Sequence, residues 1–230
     1  PGDELSRTHD IIRPNRNHHE VATHYWKDGT ARIGGREYLG LTASPCFHGG
    51  SISCLSCHSM HKSDPDAQLA KGMNTNQGCL QCHEEISDVA AHTKHAADSA
   101  GSNCYNCHMP YTSYALMGAI RSHQINAPRN ADLGRDRPNA CNLCHQDQTL
   151  QWTADYLTKW YGQDAVKLEG PMAEVAAGPY WILTGDAAQR TIVADNLGRA
   201  MSQKASGSDW QAPLLAELLN DPYAAVRFVA

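Results

Sequence analysis

Eight of the nine cysteines stand in four pairs with two residues between partners: Cys54/Cys57, Cys79/Cys82, Cys104/Cys107 and Cys141/Cys144. Each pair is followed at once by a histidine, His58, His83, His108 and His145. Zinc ribbons, disulfides, redox thiols and coincidence compete to explain the pairs. With 13 histidines in 230 residues, a histidine follows all four pairs by chance about once in 100,000. A zinc site needs no histidine there, and two zinc sites would favour pairs at matched ribbon spacings. C-x-x-C-H is the attachment signature for c-type haem. Two thiols at this spacing reach the two vinyl groups on one porphyrin edge, and the adjacent imidazole then lies under the ring as an iron ligand. Four haem c groups are expected, with the eight cysteines binding the cofactor and the four histidines the iron.

From Cys54 through His145 there are 92 residues, or 23 for each motif. So little chain cannot enclose each macrocycle separately, so the rings must pack on one another. The composition agrees. Only 41% of residues are hydrophobic and 7% aromatic, with a mean hydropathy of -0.51, so the rings make good a thin supply of core side chains. Rings packed this closely exchange electrons readily.

The sixth iron ligand separates a wire from a catalyst. Nine histidines remain: His9, His18, His19, His24, His48, His61, His92, His95 and His123. His61 stands too near His58 to reach the opposite face of the same ring, but it suits a neighbouring one. His92 and His95 share one face if their stretch is helical. His123 precedes an extended, proline-containing run. His61, His95, His123 and, among the early ones, His19 are the distal ligands expected here, with His18, His24, His48 and His92 still open. Met60, Met73, Met109 and Met117 are expected to pack rather than ligate. Cys46 has no assigned role.

The runs Trp26-Lys-Asp-Gly, Gly35-Arg-Glu-Tyr, Ser44-Pro-Cys46 and Ser53-Cys54-Leu-Ser-Cys57-His58-Ser-Met-His61 resemble bacterial multihaem cytochromes with doubled CxxCH motifs. So do Gly101-Ser-Asn-Cys104-Tyr-Asn-Cys107-His108-Met-Pro110 and Arg137-Pro-Asn-Ala-Cys141-Asn-Leu-Cys144-His145. These are relatives of the nitrification-type tetrahaem cytochromes, often with HEAT-like repeats appended, and the resemblance covers most of residues 18–161. It implies His61, His95 and His123 as distal ligands and low-potential electron transfer outside the cytoplasm. It also implies kinship with nitrite and hydroxylamine enzymes, although a shared fold does not settle activity.

The expected fold is mainly α with much irregular structure. A tetrahaem cytochrome c domain with an irregular N-terminal segment spans 1–148, and an α-helical HEAT-like segment spans 149–230. A short hairpin is expected around 23–40, through the turns at Asp28-Gly29 and Gly34-Gly35. Beyond His145 there is neither Cys nor His. Trp152, Tyr156 and Trp160 mark a helix ended by Gly162, and this aromatic stripe is expected to be core. Asp186 and Ser208 are expected to cap helices bearing Ile192, Leu197 and Met201, and Leu214, Leu215 and Leu218. Asp221-Pro222 starts another, in a HEAT-type run. The chain then stops at Ala230 inside that helix, which reads as a truncated solenoid, as Pro1-Gly2-Asp3 reads as a trimmed start.

A formal charge of -5, with no Lys/Arg run, argues against nucleic acid, and no stretch approaches the ~20 apolar residues that span a bilayer. Electron transfer through four bis-histidine haems is the expected function, with redox proteins or further copies of the chain as partners. An electron carrier is favoured over an enzyme. The alternative is a multihaem oxidoreductase acting on nitrite, hydroxylamine or a similar nitrogen compound, which needs an open iron position. Export before haem attachment places the chain in the periplasm or at the cell surface, as nine cysteines also suggest.

Overall fold

The computed structural model describes residues 4, 7–9, 23–61 and 67–230. His18 and His19 lie outside them. Among the described residues the chain forms thirteen α-helices and one two-stranded hairpin, so it is mainly α. Most helices run one to three turns, and the cysteine motifs interrupt the chain too often for more.

Helices α1 (Glu37–Thr42) and α2 (Pro45–Gly49) occupy a stretch expected to be irregular. Pro45 opens α2, where its missing N–H costs nothing. The hairpin expected around 23–40 reduces to one antiparallel bridge, Tyr25 to Ala31, closed over Gly29 at φ +84. Asp28 accepts there from the Thr30 N–H and hydroxyl and pairs with Arg137 at 2.6 Å, so its carboxylate ties the turn to a distant segment.

Helices α3 (Gln77–Leu80), α4 (Val89–Thr93) and α5 (Cys104–His108) lead into the hairpin of β1 (Tyr111–Ala115) and β2 (Gly118–Arg121). Nothing in the sequence announces this hairpin. Its two-residue turn is Leu116-Met117, both at positive φ (52 and 66), where Asn-Gly is the usual signal. Tertiary contacts hold it: Asp195 accepts from the Ala119 N–H, and Ser113 donates to the Ala31 carbonyl.

Helix α6 (Ala140–Cys144) carries the fourth motif, and α7 (Leu150–Tyr161) follows. Thr149 caps α7 by accepting from Trp152 N–H, and Gly162 ends it in the left-handed region. Leu150, Thr153, Ala154 and Leu157 form its buried face. Trp152, Tyr156 and Trp160 do not: they are half-buried on another stripe, which corrects the expectation that they are core.

Five helices complete the chain after α8 (Pro171–Glu174): α9 (Ala177–Thr184), α10 (Ala187–Leu197), α11 (Ala200–Ser206), α12 (Ala212–Leu218) and α13 (Ala224–Val229). Asp186 caps α10 with a capping box to Gln189, and α10 ends at Leu197, so Met201 belongs to α11. Ser208 is not a helix cap: α12 starts four residues later, with Pro213 in its first turn. Asp221 turns the chain by accepting from Tyr223 N–H, and its carboxylate is held by Arg190 at 2.5 Å, so α13 begins only at Ala224.

Helix α10 is the hub of the fold. Its Val193, Ala194 and Leu197 join Leu150, Trp181, Leu218 and Val226 in one apolar cluster. Its Ile192 joins Trp26, Ala119 and Leu143 in another. Residue 148 thus marks a change of composition without a gap in packing, because α10 also touches α6, β1 and β2.

Candidate haem-ligand site

Each C-x-x-C-H motif folds as a single helical turn. The N–H of His58, His83 and His145 donates to the carbonyl of the first cysteine of its motif, at 2.8, 3.1 and 2.9 Å. His108 closes α5, which starts at Cys104. A turn of this pitch sets both sulfurs and the imidazole on one side of the backbone. Polar caps fix the turns in place: Asn103 accepts from Tyr105 N–H and Asn139 from Asn142 N–H. Asn76 ties the second motif to the third, donating to the Ser102 carbonyl and accepting from Cys104 N–H.

Three motif histidines each face a histidine from outside the motifs. His58 and His123 have ring centres 6.2 Å apart with planes at 20°, His108 and His92 6.3 Å and 16°, and His145 and His95 6.1 Å and 33°. Two imidazoles bound trans to one metal, each nitrogen about 2.0 Å from it and about 1.1 Å from its own ring centre, bring the centres about 6.2 Å apart. Stacked rings in direct contact would approach more closely. All three pairs join one motif histidine to one other histidine, as six-coordinate haem requires. Among the described residues no three of His, Cys, Asp and Glu converge to hold a metal ion, as a zinc site demands.

The Nδ1 atoms agree with this arrangement. His58 Nδ1 meets the Ala67 carbonyl at 3.0 Å, His95 the Thr93 carbonyl at 2.6 Å, His108 the Asn126 carbonyl at 3.2 Å and His123 the Arg121 carbonyl at 3.2 Å. A carbonyl only accepts, so Nδ1 carries the proton and Nε2 keeps its lone pair for a metal. Burial, more than any neighbouring charge, holds His108, His123 and His145 below the usual histidine range, and so favours the neutral, ligating form.

The partner histidines are held from behind. A Cβ on Gly40 of α1 would sit 2.9 Å from Gln124 N and 3.0 Å from the His123 carbonyl carbon, so only glycine lets α1 lie against this segment. Ser44, fully buried, accepts from Ile125 N–H at 2.8 Å and donates to the Gly40 carbonyl at 3.0 Å. His95 packs its ring onto Gly101, and its carbonyl accepts from the Ser102 hydroxyl. His92 and His95 do not share a helix face. Helix α4 ends at Thr93, and Lys94 turns left-handed at φ 61, which sends the two rings to different motifs.

The aromatic stripe of α7 lines this region. His145 meets Trp152 at 5.0 Å, Trp152 meets Tyr156 at 4.7 Å, Tyr156 meets Trp160 at 4.5 Å, and Trp160 reaches His95 at 6.3 Å. Tyr161 donates to the His92 carbonyl at 2.9 Å. One helix therefore walls two of the imidazole pairs. An aromatic i, i+4, i+8 series beginning seven residues after His145 was the available signal, and its amphipathic period disguised it as core.

All nine cysteines are free of disulfides. Burial, then neighbouring thiols, pushes Cys79 up to about 12, Cys141 to about 12 and Cys107 to about 11; burial pushes Cys144 to about 11 against the charges of Arg121 and Arg199. The neighbours link successive motifs: Cys57 feels Cys82, Cys79 feels Cys104, and Cys107 feels Cys144. The four motifs thus run in sequence order through space. Cys46 lies beside the second motif, where it adds to the rise at Cys79.

His83 differs from the other three motif histidines. Its side chain is 49% exposed, its Nδ1 meets the Glu85 carboxylate at 3.2 Å, and no described imidazole faces it. His61 is exposed and has no ring partner among the described residues. His24 is bonded to Arg36 at 2.7 Å, His48 lies in α2 against Phe47, and His9 contacts Thr8. Met60 is exposed, while Met73 and Met109 are engaged through their carbonyls by Tyr105 and Arg121. The Met117 sulfur accepts from the Tyr114 hydroxyl.

Residues 46–88 match the doubled CXXCH motif family. The match covers the first two motifs and Cys46. No curated protein and no solved structure matches the chain. The doubled motif marks a chain similar to multihaem c-type cytochromes, with covalent haem binding and electron transfer as its chemistry. No helix among the described residues is long and apolar enough to cross a membrane.

Proposed function

We propose that the chain is an electron carrier holding four c-type haems, three of them between the pairs His58/His123, His108/His92 and His145/His95. The three ring-centre separations of 6.1–6.3 Å, each joining a motif histidine to a partner from elsewhere, carry this reading. The haem iron supplies reversible one-electron exchange when bound. The protein supplies everything else. The cysteine pairs fix each ring edge, the Nδ1–carbonyl bonds of His58, His95, His108 and His123 aim their Nε2 atoms, and the α7 aromatics keep water from two of the sites. His92 and His95, three residues apart, bind the third and fourth sites to one short segment, which holds the spacing between those sites. His83 carries the remaining site, with His19 or His61 as its second ligand.

The nitrification-type kinship remains part of this proposal. So does the HEAT-like reading of residues 149–230, which is supported by short helices that share one apolar cluster from Leu150 to Val226. Export is required for thioether attachment, so the chain works in the periplasm or at the cell surface. Its partners are redox proteins or further copies of itself.

A pyridine haemochrome assay on denatured, solvent-extracted protein tests the count. Four haems per chain are expected, and fewer than four would overturn the reading. Substituting His123→Met should convert one low-spin bis-imidazole signal into a His/Met one and raise one potential. An unchanged spectrum would remove His123 from the ligand set.

One observation favours a second reading, catalysis on nitrite, hydroxylamine or a similar small nitrogen compound. His83 is the half-exposed motif histidine that faces no described imidazole. Carbon monoxide added to the reduced protein decides between the two. Binding at one site per chain supports an open iron at His83, and no binding supports the carrier.

A further inference from the structure

Arg121 closes β2 opposite Tyr111 and reaches into the third motif. It donates to the Asn106 side-chain oxygen at 2.8 Å, inside the Cys104–Cys107 loop, and to the Met109 carbonyl at 3.0 Å. Its guanidinium lies over the Tyr111 ring at 4.2 Å and the Tyr105 ring at 5.6 Å. Among the described residues no carboxylate pairs with it. Arg199 also stacks on Tyr111, at 3.5 Å, but is neutralised by Asp195 at 2.7 Å. Helix α5 of the third motif, which Arg121 grips at Asn106, packs against α6 of the fourth, so Arg121 stands near both motifs. A partly buried cation without a counter-ion is costly unless it acts on charge elsewhere.

The second motif has the opposite environment. His83 is the one motif histidine whose Nδ1 meets a carboxylate, Glu85, where His58 and His108 meet neutral carbonyls. A carboxylate behind a metal-bound imidazole makes it a stronger donor and favours the oxidised metal. A nearby cation does the reverse, since an added electron is stabilised by positive charge.

We infer that Arg121 orders the reduction potentials along the chain, raising those of the sites at His108 and His145 above that of the site at His83, which Glu85 lowers. The inference rests on the four-haem reading above. One electron given up at the His83 site is taken up at the Arg121 end, with one site oxidised, one reduced and no proton exchanged. An external one-electron donor refills the first site. Electron travel through the molecule is thereby directed away from the exposed second motif.

The test is a spectroelectrochemical titration of the full, haem-loaded chain. Arg121→Gln should lower the highest-potential component by about tenfold in its equilibrium constant, about 59 mV for one electron. Arg121→Lys, which keeps the charge but not the planar fork, should keep that component within about twofold of the parent. Glu85→Gln should raise the lowest component. If Arg121→Gln carries four haems with unchanged potentials, the inference falls. It also falls if Arg121→Lys drops as far as Arg121→Gln, because Arg121 would then act only by positioning the Asn106 loop. Should Arg121→Gln fail to load haem, Arg121→Lys and Glu85→Gln decide: a lowered Lys variant or an unmoved Gln variant overturns it. A parent protein without four haems would sink the functional proposal itself, which separates the two failures.

Discussion

Adding one methyl group at Gly101 tests the His95/His145 pair without touching a ligand. A Cβ built there falls 2.2 Å from His95 Cδ2, 2.4 Å from Cγ and 2.9 Å from Cβ, where ordinary contact begins at 3.4 Å. The imidazole must therefore retreat by about 1.2 Å. Gly101 lies in a short 3-10 turn, Ala100–Ser102, tied down by Asn106 at the Ala100 carbonyl and by Thr93 at the Ser102 hydroxyl, so the backbone resists yielding by that much. A metal–imidazole bond of about 2.0 Å does not survive such a displacement. Gly101→Ala should turn one low-spin site into a five-coordinate, high-spin one. The measurement is carbon monoxide binding to the reduced protein, with electron paramagnetic resonance of the oxidised form. Binding should rise by one site per chain over the parent while the haemochrome count stays at four. Gly49→Ala is the control, since nothing lies within 4 Å of a Cβ there and the residue sits in α2. If Gly101→Ala leaves both spectra unchanged, His95 is either not a ligand or not held by this packing, and the pairing argument fails at that site.

Other expectations are equally direct. Ile192→Ala empties a fully buried position where α10 meets Trp26, Ala119 and Leu143, so it should cost about 2–5 kcal/mol in a denaturant titration, and a loss below 1 kcal/mol would deny α10 its central place. Burial pushes the Asp28 carboxyl up, but the Arg137 charge and the Thr30 and Arg137 hydrogen bonds outweigh it and hold the group below its usual 3.8. The stabilisation is therefore present above 3.8 and lost as pH falls through the lower folded value, so Asp28→Asn should weaken the protein at neutral pH and flatten its stability curve in that acid window. Trp160→Ala should admit water beside His95 and shift one reduction potential, read by spectroelectrochemical titration. A potential indifferent to Trp160 would mean that the α7 aromatics do not shield the site.

The cysteine motifs were legible in the sequence because covalent attachment demands fixed residues at fixed local spacing. Cys54 to His58 and its three counterparts needed no fold to be read. The end of α7 at Gly162 and the Asp186 cap were legible for the same reason, since both act within one or two turns of chain. Which histidines meet is only partly legible: the sequence points to His95 and His123 as partners and leaves His92 open, because each meets its motif histidine across the chain. His123 reaches His58 only because an unannounced hairpin returns the strand and Ser44 clasps it. His92 reaches His108 only because Lys94 turns left-handed and parts it from His95. The stripe Trp152, Tyr156 and Trp160 shows the same limit: its period fixes the face of a helix, but only packing decides whether that face meets apolar side chains or imidazoles. Local covalent and capping chemistry is written in adjacent residues; long-range placement is decided by burial, where α10 draws Trp26, Ala119 and Leu143 together around Ile192.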